Sequence, residues 1–188
     1  MKEEKPKVII IYGGIAVGKY TTARILSEKI NIPMTHNHAL LDLIGEIFPR
    51  GSHGRHDVYL SLVKSFMKKC LEYKQGLIFT TTYAADFVAD TGETDPQRIV
   101  SLVNTCKRAG AEVYLVHLIA SLETMHSRAT HLSRKKFKKL TDRTILEELS
   151  EYRDWHTSAP IRNNHLVIDN TEMEIDSVVD EIMSTFSL

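Results

Sequence analysis

Apolar residues along the chain follow two periods. Short continuous runs at 8–12, 77–80, 113–119 and 166–168, rich in Val, Ile and Leu, read as buried strands. A fifth short strand is expected at 32–35, around Pro33. Between these runs the apolar positions are spaced by three and four, as on a helix with one buried face. Tyr59, Leu62, Val63, Phe66, Met67, Cys70 and Leu71 mark such a helix, with Asp57 as its expected N-cap and Gly76 beyond its end. Ile99, Val100, Val103 and Cys106 mark another, opened by Asp95-Pro96 and followed by Gly110. Ser121 caps a short helix reaching about Arg128, Thr141 caps one carrying Ile145, Leu149 and Tyr152, and Ile175, Val178, Val179, Ile182 and Phe186 belong to a closing helix. Strands alternating with helices imply α/β architecture with a five-stranded parallel sheet covered on both faces, because each parallel crossover needs a long connection. Ligands of such sheets bind at the carboxyl ends of the strands.

The chain has 188 residues, a size expected to form a single domain over 1–188. Lys plus Arg and Asp plus Glu both number 24, so no global charge excess favours nucleic acid or an anionic membrane, and neither is expected as a partner. The charge is unevenly placed: seven basic residues from Arg128 to Arg143 face one acid, Asp142. Cys70 and Cys106 fall at apolar helix positions without metal-ligand spacing and read as reduced core residues. The apolar run at 8–12 is too short for a signal sequence or a membrane span, so the expectation is a cytoplasmic protein, monomer or homodimer.

The strongest local signal is Gly13-Gly14-Ile15-Ala16-Val17-Gly18-Lys19. It matches G-x-x-x-x-G-K and lies between a strand and a helix expected from Gly18 to about Ile30. Its glycines let backbone N–H groups converge on phosphate oxygens at the positive end of the helix, and Lys19 reaches toward the terminal phosphates. Tyr20 stands where the simple pattern has a magnesium-binding Ser or Thr, and Thr21 follows one residue later. Thr21 is therefore the candidate near phosphate or metal, with Mg²⁺ held largely by water and the nucleotide.

On these residues the chain resembles the small P-loop kinases, a group that includes shikimate kinase, gluconate kinase, chloramphenicol phosphotransferase and the nucleoside monophosphate kinases. The resemblance implies a three-layer P-loop fold with strand order 2-3-1-4-5 and a basic lid at about 128–141. It implies ATP and Mg²⁺ as cofactors and γ-phosphoryl transfer to a small-molecule acceptor, with a hydroxyl ranked before a phosphate as the receiving group. It places the acceptor over the ends of the second and third strands. His36 and His38 then stand where shikimate kinase-like proteins carry an Asp-x-Asp pair. His38 is the candidate that orients or deprotonates the acceptor hydroxyl, since a neutral imidazole can take a proton. His36, Asn37, Arg55, Thr81, Thr82 and Tyr83 are the other candidate acceptor contacts, and Arg55 is suited to an anionic group. Arg128 and Arg134 are the expected lid arginines on the transferring phosphoryl group, because a guanidinium grips phosphate through two parallel hydrogen bonds. No Asp closes the third strand, so the usual Walker B carboxylate is missing there, with Asp86 the nearest replacement. Two alternatives stay open: a nucleotide-binding or slowly hydrolysing protein without an acceptor, and a nucleoside monophosphate kinase.

Overall fold

A computed structural model of the chain describes residues 5–49, 51–129 and 153–188. The five apolar runs form one parallel sheet, β1 Lys7–Gly13, β2 Met34–His36, β3 Leu77–Thr82, β4 Glu112–Ile119 and β5 His165–Asp169, in the order β2-β3-β1-β4-β5. The α/β class and the strand order agree with the expectation from sequence. β1 is the centre: it pairs with β3 from Val8 opposite Leu77 to Gly13 opposite Thr82, and with β4 on its other edge. Its Val8, Ile9, Ile10, Ile11 and Tyr12 are fully buried, which is what a strand covered on both faces requires.

Six helices are described: α1 Lys19–Ile30, α2 Asn37–Gly45, α3 Arg55–Glu72, α4 Asp95–Arg108, α5 Leu122–Ala129 and α6 Ile175–Phe186. Side-chain alternation along the strands divides the core into two layers. Val8, Ile10, Tyr12, Phe79 and Leu115 face α3 and α4, packing on Val63, Met67, Ile99 and Leu102. Ile9, Ile11, Ile78 and Val116 face α1, α5 and α6, packing on Leu26, Met125, Val179 and Ile182. Cys106 is buried against Met67, Sγ to Sδ 3.7 Å, and burial pushes its thiol up to about 12; Cys70 is only half-buried.

One boundary and one element differ from the sequence reading. α3 begins two residues before Asp57, capped by Gly54 in a left-handed conformation, so Asp57 lies in the first turn. α4 starts at Asp95 as expected and is capped by Thr94, whose hydroxyl accepts from the Gln97 amide while the Gln97 side chain accepts from the Thr94 amide. α2, beginning directly where β2 ends, was not expected: His-Asn-His opens it without a capping side chain. The helix expected after Thr141, and Arg134 with most of the basic segment, lie outside the described residues. No helix among the described residues is long and apolar enough to cross a membrane.

Candidate nucleotide and acceptor cleft

The site is built from the carboxyl ends of the strands. β1 ends at Gly13, where the chain passes so close to β4 that a Cβ would stand 2.1 Å from the Leu118 carbonyl oxygen, and φ is +144°. No side chain other than hydrogen fits there. Gly14 follows under the ring of Trp155, where a Cβ would meet ring carbons at 3.2 and 3.3 Å. Ala16 takes a φ of 62° and Gly18, the N-cap of α1, a φ of 92° with no side-chain cap. The resulting curl presents an uncapped helix N-terminus, the geometry that favours a phosphate. Lys19 Nζ folds over this curl, donating to the Gly13 carbonyl at 2.9 Å and to the Gly14 carbonyl.

Two hydrogen bonds hold the loop from outside, and Arg128 braces one of them. Tyr83 donates its amide to the Gly13 carbonyl at 3.1 Å. Asn170, just past β5 and 2 % exposed, donates its side-chain amide to the Val17 carbonyl at 2.8 Å. The Asn170 oxygen in turn accepts from Arg128 Nη1 at 3.0 Å, while Arg128 Nη2 donates to the Asn170 carbonyl at 2.9 Å. Arg128 thus lines the cleft but directs both amines at Asn170, and partial burial lowers its pKa.

A cleft of about 1300 Å³ extends from this loop in two directions. One arm runs along Asn170 to Ile175, between β5 and α6. The other runs over the ends of β2 and β3 and the starts of α2, α3 and α4. The sequence candidates Ile15, Ala16, Gly18, Lys19, Tyr20 and Thr21 line its middle, and His36, Asn37, His38, Arg55 and Thr82 line the second arm. Tyr20 packs edge-on against His36 at 5.3 Å between ring centroids, and both rings line the cleft. Among the described residues no group of three or more His, Cys, Asp and Glu could hold a metal.

Two acceptor candidates are corrected. Thr81 is 1 % exposed and its hydroxyl accepts from Arg98 Nη1 at 2.8 Å, on the α3 and α4 side of the sheet. Tyr83, fully buried, packs edge-on against Tyr12 at 4.8 Å, and burial pushes its hydroxyl up to about 12. The period of two explains both. β3 continues through Thr82, so Thr80 and Thr82 turn to the phosphate-loop face while Thr81 turns away. Asp86 does not line the cleft either: it accepts from the Asp154 amide at 2.9 Å and stands 3.8 Å from Arg153.

The carboxylate nearest the end of β3 within the cleft is Asp95, which reads in the sequence only as a helix start. Its Oδ2 accepts from the Ala84 amide at 2.9 Å and its Oδ1 from Arg98 Nε at 2.8 Å and Nη2 at 2.7 Å. Arg98 also donates to the Thr82 carbonyl at 2.6 Å, so this buried pair clamps the end of β3. Trp155 and Arg153, which stacks on Phe87 at 5.4 Å, complete the wall. None of these four forms a local motif. The one usable signal is Asp95 and Arg98 at i and i+3 on a helix whose other inward positions are apolar.

No family model and no curated protein sequence matches the chain. Solved structures do. A presumptive kinase from Chloroflexus aurantiacus J-10-fl superposes with a TM-score of 0.69 at 18% identity, covering 96% of this chain and 98% of its own. A gluconokinase from Sinorhizobium meliloti 1021 gives 0.63 at 13%, covering 98% and 94%. A shikimate kinase from Bacteroides thetaiotaomicron gives 0.58 at 17%, covering 98% and 100%. With the strand order and the phosphate loop, these likenesses give the chain the fold of the P-loop small-molecule kinases.

Proposed function

We propose that the protein is a phosphotransferase that moves the γ-phosphoryl group of ATP to a hydroxyl of a small molecule. The observation that carries this reading is the continuity of the cleft. One cavity joins the phosphate loop to the ends of β2 and β3, so a nucleotide tail and a second molecule can meet without water between them. The curl at 13–19 would hold the phosphates through its amides, and Mg²⁺ bound with the nucleotide would neutralise phosphate charge. Lys19 neutralises from the protein side once its ammonium leaves the Gly13 and Gly14 carbonyls for phosphate oxygens. In this reading Tyr20 and His36 stand between the two substrates and His38 orients the acceptor hydroxyl or takes its proton, a role supported by its position in the cleft lining. Arg128 and Arg134 are the arginines for the transferring group, Arg128 acting from its anchor on Asn170.

A second reading, a nucleotide-binding protein without an acceptor, draws support from the hydroxyls of Thr80 and Thr82 where a carboxylate would end β3. ADP production separates the two. A kinase makes ADP faster when the right member of a metabolite panel is added, and Lys19→Ala loses that response. If no acceptor raises the rate above the nucleotide-only level, the kinase reading fails.

A further inference from the structure

The second arm of the cleft holds an imidazole tied to a carboxylate. His56, the second residue of α3, lines that arm, and its Nε2 stands 3.0 Å from Glu93 Oε2. Side-chain exposures of 15% and 23% keep the pair largely out of solvent, where such a bond is stronger than on the surface. His53 makes a looser counterpart: its ring is 96% exposed and stands 3.7 Å from Asp90, a surface contact outside the cleft lining.

Both partners are held in place by other contacts. The His56 ring is flanked by Tyr59, 6.5 Å between centroids, and by Phe87 at 6.4 Å. Glu93 belongs to the segment between β3 and α4, which folds back on itself. Its carbonyl accepts from the Ala89 amide at 2.8 Å, the Ala89 carbonyl accepts from the Gly92 amide at 2.9 Å, and Val88 and Thr94 pair antiparallel on either side. Asp90, in the same fold-back, accepts from the Gly54 amide at 2.8 Å. The fold-back and the start of α3 are therefore joined without the imidazole, and Glu93 is delivered to His56 on a backbone already fixed.

A carboxylate only accepts, so in the neutral ring the proton lies on Nε2 and Nδ1 keeps its lone pair. Nδ1 is engaged by no described residue and is not among the polar atoms sealed from solvent, so the lone pair opens on the cleft that the ring lines. This is the arrangement of a proton acceptor whose tautomer and orientation are set from behind.

We infer that His56 is the catalytic residue that takes the proton of the phosphoryl acceptor's hydroxyl, with Glu93 as its positioning residue. The inference rests on the kinase reading and refines it, leaving His38 the orienting role. In this step the hydroxyl oxygen bonds to the γ-phosphorus while the bond from that phosphorus to the β,γ-bridging oxygen breaks, and ADP leaves with the electron pair. The hydroxyl proton passes to His56 Nδ1, Glu93 stabilises the imidazolium, and water removes the proton before the next turnover.

Two measurements on the full chain test this. The first is nitrogen–proton NMR of the histidine rings with ADP and magnesium present, the His56 signals being assigned by their loss in His56→Gln. Near neutral pH the His56 ring should carry its proton on Nε2 alone. The second uses the metabolite that raises ADP production. Glutamine sets its amide nitrogen where Nε2 stands, so His56→Gln keeps the bond to Glu93 and offers nothing at the Nδ1 position. It should lower kcat about 10²–10⁴-fold, while KM for the metabolite and calorimetric ATP affinity change little. Glu93→Gln should lower kcat by less, again at unchanged KM, and bring a share of the His56 rings into the Nδ1–H form. A bond that is only structural predicts the parent's kcat in both variants, with losses confined to the melting temperature. The parent's kcat in His56→Gln, or a parent ring protonated on Nδ1, overturns the inference by itself. Should His56→Gln fail to fold, an unchanged kcat in Glu93→Gln overturns it. If no metabolite raises ADP production, the kinase reading falls and this role falls with it.

Discussion

Tyr12 and His117 lie face to face in the core, rings 4.5 Å apart and 5° from parallel, and each directs its polar atoms at the segment that returns to the sheet after residue 152. His117 Nε2 donates to the Trp155 carbonyl at 3.1 Å and Nδ1 accepts from the Ser158 hydroxyl at 2.9 Å. The Tyr12 hydroxyl accepts from the Ala159 amide at 3.1 Å and donates to His165 Nε2 at 2.7 Å. His165 Nδ1 completes the chain by donating to the Ile161 carbonyl at 2.7 Å. Trp155, which packs against Gly14, is thereby fixed from beneath.

Stability should fall as the pH drops from about 6.5 to about 4. Burial lowers the His117 pKa from 6.5 to about 4, so over that window the unfolded chain takes up a proton that the folded one refuses. The folded state loses on the order of 3 kcal/mol across the interval, and nothing further from this group below it. Urea midpoints measured at intervals of pH check the slope. His117→Gln should be less stable near neutrality and lose most of this component; an unchanged slope would exclude His117 as its source.

The phosphate loop depends on Asn170. Asn170→Asp keeps the pairing with Arg128 but replaces the donor to the Val17 carbonyl with an oxygen, setting two acceptors 2.8 Å apart. Stability should drop by about 1–3 kcal/mol and triphosphate affinity should fall with it. Denaturation and calorimetric titration of the same preparation measure both.

Lys19→Ala should reduce affinity for ATP by roughly 10–150-fold and for AMP much less, as expected for hydrogen bonds from a charged group to the terminal phosphates. Calorimetry on the two nucleotides gives the ratio. Similar losses for both would place Lys19 away from the phosphate tail.

The Asp95 and Arg98 pair provides a double-mutant cycle. Arg98→Met leaves a carboxylate 8% exposed without its partner and should cost about 3–5 kcal/mol. Asp95→Asn combined with Arg98→Met should cost less than Arg98→Met alone, because no buried charge then remains. Equal costs would show that Arg98 acts through its hydrogen bonds to Thr81 and Thr82 alone.

Much of this architecture is readable from neighbouring residues. The β1 run, the glycine curl and α1 are adjacent in the chain, so motif and context specify each other, and strand order follows from the fold they imply. α2 escaped detection because His36 offers no recognisable cap and the nine residues of the helix carry a short apolar pattern. The facing of Thr81 and Tyr83 depended on where β3 stops, and two extra residues of strand decide which hydroxyls enter the cleft. Asn170, Trp155 and Arg98 act on partners far along the chain, Asn170 on Val17 across 153 positions, and no short pattern encodes such a contact.

The hydrogen bond from the Tyr83 amide to the Gly13 carbonyl has a mechanical consequence. The peptide that begins the curl at 13–19 and the peptide that follows β3 are adjoining rungs of one ladder, so their spacing is set by the pitch of the sheet. On the proposed phosphotransferase reading, the distance between donor and acceptor is therefore set before either molecule arrives.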